Sequence, residues 1–121
     1  MSIYAEIGKL LETKGYGKFN KDIKGFKKPD KPNDVVVVLP SAGGNIEHIR
    51  EIGLQIIVRN KNSLESEEKA NKIYEELRNL DNLNLGNFYV YSLIPTSDII
   101  PIGFDDKDRY EYSMNFRVIR R

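Results

Sequence analysis

Few residues in this chain are equipped for chemistry. The single histidine, His48, stands beside Glu47 in a chain without cysteine. A zinc site needs several nitrogen or sulfur ligands and a catalytic triad needs an activated nucleophile, so a lone imidazole reads as an ordinary surface histidine. Gly15-Tyr16-Gly17-Lys18 has the glycines and lysine of a phosphate loop. It follows a helical stretch instead of a strand, however, and Phe19 stands where Ser or Thr would meet the magnesium ion, so a helix-ending turn is the better reading. Asp105, Asp106 and Asp108 could gather a cation, but they lack the alternate-position oxygens, the glycine and the closing glutamate of a calcium loop and read as a hairpin turn. Glu65, Glu67 and Glu68 crowd the start of a helix, where they complement its dipole, and no pair of carboxylates has local support as an acid/base couple. The expectation is a protein with no catalytic, cofactor-binding or metal-ligating residues, and not an enzyme.

One stretch could meet nucleic acid. Between residues 15 and 33, Lys18, Lys21, Lys24, Lys27 and Lys28 are interleaved with Tyr16, Phe19 and Phe26. Lysines bind phosphate and aromatic rings stack on unpaired bases. Against this, every cation there is lysine, the base-reading fork of arginine is missing, and Asp22 and Asp30 dilute the charge. A solvated loop is favoured, and a small nucleic-acid-binding module is the alternative function.

The elements that must position these residues follow from periodicity. The 121 residues, 40% hydrophobic and 31% charged with a formal net charge of +1, fit one domain, 1–121, that buries roughly two thirds of its unfolded surface. The balance gives no global drive toward nucleic acid or an acidic membrane surface. Glu6, Lys9 and Glu12 interrupt any signal-like start and no apolar run could span a bilayer, so the chain is expected to be soluble and made in the cytoplasm.

Ile3, Ile7, Leu10 and Leu11 predict an amphipathic helix capped by Ser2 and stopped at Gly15. A lysine-rich loop follows, with one weak strand near Phe19. Val35 to Leu39 reads as a doubly buried strand ended by Pro40, and Ile49 to Arg59 as a second strand with a bulge or bend at Gly53. Ala70, Ile73, Tyr74, Leu77 and Leu80 mark the apolar stripe of a second helix, with Glu65–Lys69 and Glu68–Lys72 at ion-pair spacing. After a turn from Asp81 to Asn87 come a strand in "FYVYSLI", a short edge piece from Ile99 to Phe104, and a last strand. In that strand Tyr110, Tyr112, Met114, Phe116 and Val118 face the core, and Glu111, Ser113, Asn115 and Arg117 face solvent or a partner. The order predicts an α+β fold, a mainly antiparallel sheet with two helices on one face.

Three segments carry a resemblance: "DVVVVLPSAGG", "LQIIVRNKNSLESEEKANKIYEEL" and "IPTSDIIPIGFDDKDRYEYSMNFRVI". A strand ending in Arg59 leads through a polar turn to a helix carrying Ala70, Ile73 and Tyr74. Later come the step Pro101-Ile102-Gly103, an acidic turn with Asp105 and Arg109, and the alternating strand to Val118. From Asp34 onward, with the first helix also fitting, the pattern resembles the phage tail terminator or minor capsid family of long-tailed bacteriophages. The lysine-rich loop has no counterpart in the resemblance.

The resemblance implies a structural subunit of a hexameric ring, of phage or prophage origin. Such a ring caps the tail tube and joins it to head-completion proteins, in the host cytoplasm first and in the virion tail after assembly. Its expected partners are copies of itself, the tail tube protein and a head-completion protein. Projecting turns are where contacts are expected: Gly43, Gly44 and Asn45 in the loop from Ser41 to Ile49, and Asp105, Asp106 and Arg109 in the acidic turn, with Arg59 at its strand end.

Overall fold

The computed structural model describes residues 2–41 and 50–121, with Arg50 described by its backbone alone. Gly43, Gly44 and Asn45, and His48 with Glu47, lie outside the described residues.

Helix α1 spans Ile3–Thr13. Ser2 Oγ accepts from the backbone N–H of Ala5 at 3.4 Å, and the chain leaves the helix through Gly15 at φ +94°. Its apolar side buries Ile3, Ile7 and Leu11. Gly8 on that side leaves room for a ring: a Cβ there would lie 2.5 Å from Phe19 Cε1. Phe19 therefore packs on the helix and makes only a single bridge to Ile23. The strand expected near Phe19 is instead β1, Ile23–Gly25, which pairs in parallel with β2, Val35–Ser41. Strand β2 runs through Pro40 instead of ending there. Its outer neighbour β1 stops opposite Val38, so the proline sits where β2 is an open edge and a missing N–H does no harm.

Strand β3, Arg50–Asn60, pairs with β2 on one side and with β7, Tyr110–Arg120, on the other. The register from Arg50↔Arg120 to Asn60↔Tyr110 is unbroken, so Gly53 marks no bulge; its carbonyl accepts from Tyr4 Oη at 3.0 Å. Helix α2, Ser63–Arg78, buries Ser66, Ala70, Ile73 and Leu77. Neither expected ion pair of α2 closes; Glu75–Arg78 at 3.5 Å is the one within the helix. Asn62 is its cap, with Oδ1 accepting from Leu64 N at 2.9 Å and Glu65 N at 3.1 Å. Asn62→Ala is expected to lower stability by about 1 kcal/mol, read as an earlier midpoint in urea.

The stretch expected as a turn is largely a strand. Strand β4, Asp81–Leu85, folds back through Gly86-Asn87 onto β5, Phe88–Pro95. Asn82 and Asn84 disguise it, because turn-forming side chains occupy its exposed positions. Gly86 has φ +60°, and a Cβ there would meet the Glu6 carboxylate at 2.7–3.0 Å, so the turn closes against α1. Strand β6, Ile100–Phe104, lies at an edge as expected.

The sheet order is β1-β2-β3-β7-β5-β4, and β6 shares with β5 the same side of β7. Strand β5 pairs along Phe116 to Arg120 and β6 along Tyr110 to Ser113. All pairs but β1–β2 are antiparallel, and both helices lie on one face, as the α+β expectation required. There Val36, Leu54, Ile56, Met114, Phe116 and Val118 meet the helix residues in the main core. The opposite face carries a small cluster of Val35, Val37 and Ile57, with Leu39 against it.

Candidate assembly surface

The described parts of the predicted contact residues gather at one end of the sheet, on the face away from the helices. The turn between β6 and β7 is shaped by Asp105. Its carboxylate accepts from the backbone N–H groups of Lys107 and Arg109, both at 2.9 Å, and from Arg109 Nε at 2.8 Å. Arg109 Nη2 lies 2.8 Å from the same carboxylate oxygen, so the guanidinium grips it with two nitrogens. Arg109 then reaches across to the lysine-rich segment, donating to the carbonyl of Asp30 and to Asn33 Oδ1.

Arg59 grips the same segment from β3. It donates from Nε to the carbonyl of Asn33 at 3.1 Å and from Nη2 to those of Pro32 at 2.6 Å and Asp30 at 3.4 Å. Lys28 closes an ion pair with Glu111 at 3.0 Å, and Lys107 one with Asp30 at 2.7 Å. Residues 26–34 thus form a strap, tied to the outer sheet face by two buried arginines. Glu111 and Ser113, expected to face solvent or a partner, are buried: the strap's Lys28 covers Glu111, and Ser113 lies between Ile57 and Ile100 with its hydroxyl accepting from Gln55 Nε2 at 2.9 Å. Arg59 and Arg109 are 1% and 3% exposed, so both guanidinium groups face inward, and Asp106 and Asp108 are the exposed acids of the turn.

Charge balances within this end. Burial, then the neighbouring Arg109, push the Arg59 guanidinium below its ordinary value, while Glu111, Asp105 and Asp30 pull it up. Partial burial pushes the Asp105 carboxyl up, but the donors from Arg109 and Lys107 outweigh it and hold the group down at about 2. A carboxyl whose folded pKa is depressed stabilises the fold above its unfolded pKa and loses that contribution as pH falls through the folded one. The Asp105 contribution is therefore complete above about pH 4 and gone below about pH 2. Asp105→Asn should flatten the stability–pH curve across that window, measured by urea unfolding at stepped pH.

The lysines divide. Lys18 and Lys21 flank a shallow depression with Asp22, Pro32 and Asp34, whereas Lys24, Lys27 and Lys28 line another with Pro29 and Asp30. Lys24 Nζ donates to the Asn20 carbonyl at 2.8 Å. Among the described residues, Lys28 is the one of these five with a carboxylate partner.

The expected contacts lie in turns, whereas the edge strand β6 also presents an open surface. It contains no buried residue, and its large side chains stand open, Ile100 at 44%, Ile102 at 52% and Phe104 at 62%. The uncharged run from Ile99 to Phe104 was the available signal. Among the described residues there is no cluster of carboxylates or imidazoles able to hold a metal ion, and no helix long and apolar enough to cross a membrane.

No curated protein matches the chain. A family model described as bacteriophage tail terminator protein matches residues 10–121, so the likeness extends back from Asp34 through the lysine-rich strap into α1. That match, over nearly the whole chain and on an α+β sheet with two helices on one face, makes this chain a member of the bacteriophage tail terminator family, a family of structural phage tail proteins.

Proposed function

We propose that the chain, acting as one domain over residues 1–121, is the subunit of a hexameric ring. The ring closes the finished tail tube, joins it to the head-completion protein and acts without catalysis. The subunit is made in the host cytoplasm and ends in the virion tail. The family match carries this proposal. The clamped end supports it physically, because a turn held rigid by Asp105 and Arg109 loses little freedom when a partner seats on it.

Contacts fall on two segments. One is residues 41–49, with Gly43, Gly44 and Asn45, which the sequence marks as turn-forming and which lie mostly outside the described residues. The other is the 105–109 turn, where Asp106 makes the outward contact while Asp105, Arg109 and Arg59 hold the backbone that presents it.

The test adds purified protein to tails that lack their terminator. Joining of such tails to heads, counted by electron microscopy, is expected with the unaltered chain and reduced with Asp106→Lys. Tails that stay unjoined with the unaltered chain would refute the role.

A further inference from the structure

At the clamped end the sheet reads β1-β2-β3-β7-β6 from one edge to the other. One cross-strand row runs Lys24, Val37, Ile57, Ser113, Ile100. Lys24 and Ile100 therefore stand on opposite edges, four inter-strand steps or roughly 19 Å apart along the sheet. The two edges differ in chemistry. Over residues 14–33, which include β1, the chain has seven lysines against two aspartates, and Phe26 stands 55% exposed just past β1. Over residues 96–108, which include β6, it has four aspartates against one lysine around the open Ile100, Ile102 and Phe104. Among the described residues, Asp98, Asp106 and Asp108 have no cation within salt-bridge distance, and neither Lys24 nor Lys27 has a carboxylate.

Strand β6 is guarded against simple strand addition. Pro101 removes a donor, and the register shifts between Pro101 and Gly103, where φ is +108°. A partner must therefore meet its side chains. Both exposed rings are already oriented: Phe104 stands edge-on to Tyr110 at 4.8 Å, and Phe26 edge-on to Tyr4 at 5.8 Å.

We propose that these two edges are the halves of one heterologous contact between copies of this chain, an assignment that rests on the ring-forming role above. Ile100, Ile102 and Phe104 of one copy settle against Phe26 and the alkyl stems of Lys24 and Lys27 of the next. Asp98, Asp106 and Asp108 then face the lysine ammonium groups. An apolar, charge-depleted centre with a charged rim is the anatomy of a specific interface, and opposite signs select the unlike edge over the like one. Because each copy offers both halves on opposite edges, the contact repeats from copy to copy and closes when the rotation closes. The lysine-rich strap then has a role as a receptor for the neighbour's β6.

The experiment uses Phe26→Asp and Phe104→Asp, both at side chains more than half exposed, with thermal melts matched to the unaltered chain before association is read. Light scattering on a sizing column at low ionic strength should give an oligomer for the unaltered chain and the mass of one chain for each variant. An equimolar mixture of the variants should stop at two chains, since only one competent edge remains on each. Added salt should weaken the mixed pair. A variant that assembles like the unaltered chain, a mixture that stays as single chains, or an unaltered chain that never associates would each overturn the pairing. Failure of the tail-closing role is distinguishable, because it appears as unaltered protein that leaves terminator-deficient tails unjoined.

Discussion

Replacing Arg109 with alanine is expected to lower stability by about 3 kcal/mol, because removing one member of a buried ion pair leaves the other uncompensated. The Asp105 carboxylate would keep its two backbone donors but lose the guanidinium, and the Asp30 carbonyl and Asn33 amide would lose a donor. At roughly 4 °C per kcal/mol for a domain of this size, the melting temperature should fall by about 12 °C. Arg109→Lys should recover little of this. One ammonium cannot hold the carboxylate with two nitrogens and still reach the strap. Loss of the clamp should also raise hydrogen exchange at amides joining the strap to the sheet, such as Phe26 N–H to the Val38 carbonyl, while helix α2 keeps its protection. An Arg109→Ala chain as stable as the parent would mean that the strap is held without it.

The largest single loss is expected at Phe116→Ala, about 4 kcal/mol. Phe116 is fully buried on β7, opposite Leu54 on one side and Pro95 on the other, with its ring 5.8 Å from that of Tyr74 on α2. Removing it leaves a cavity where three strands meet a helix, and these elements cannot all close in at once. Urea unfolding should show a midpoint moved sharply down with an unchanged slope. A loss below about 1 kcal/mol would mean that this part of the core collapses freely around the gap.

The contrast between these two sites shows what was legible in the sequence. Phe116 was placed in the core from alternation alone, because Tyr110 to Val118 repeats with the period of a strand and each apolar residue falls on one face. Helix α2 was legible for the same kind of reason, with Ala70, Ile73 and Leu77 at helical spacing. Strand β4 was not, because its membership is decided by pairing with β5, while Asn82 and Asn84 carry the local signal of a turn. Strand β1 was hidden similarly: three residues inside a lysine-rich stretch become a strand only because β2 offers an edge to pair with.

Asp105 and Arg109 have the local signal of a turn, and the chain turns there between β6 and β7. That Arg59 and Arg109 point inward could not be read, because most of their partners are backbone carbonyls of residues 30–33, which no pattern of side chains announces. The same strap, through Lys28, turned Glu111 from an exposed residue into a covered one. Strand β6 lay in plain view as an uncharged run, yet only the fold reveals that its side chains contribute nothing to the chain's own core.

The proposed role depends on assembly of the chain with copies of itself into a closed ring. The most direct test is its mass in solution, by light scattering on a sizing column over a wide range of protein concentration. Growth with concentration to a plateau at six times the 14.0 kDa of one chain is expected, with no larger species beyond it. A mass that stays at 14.0 kDa at every concentration, and again when tail tubes are added, would contradict it.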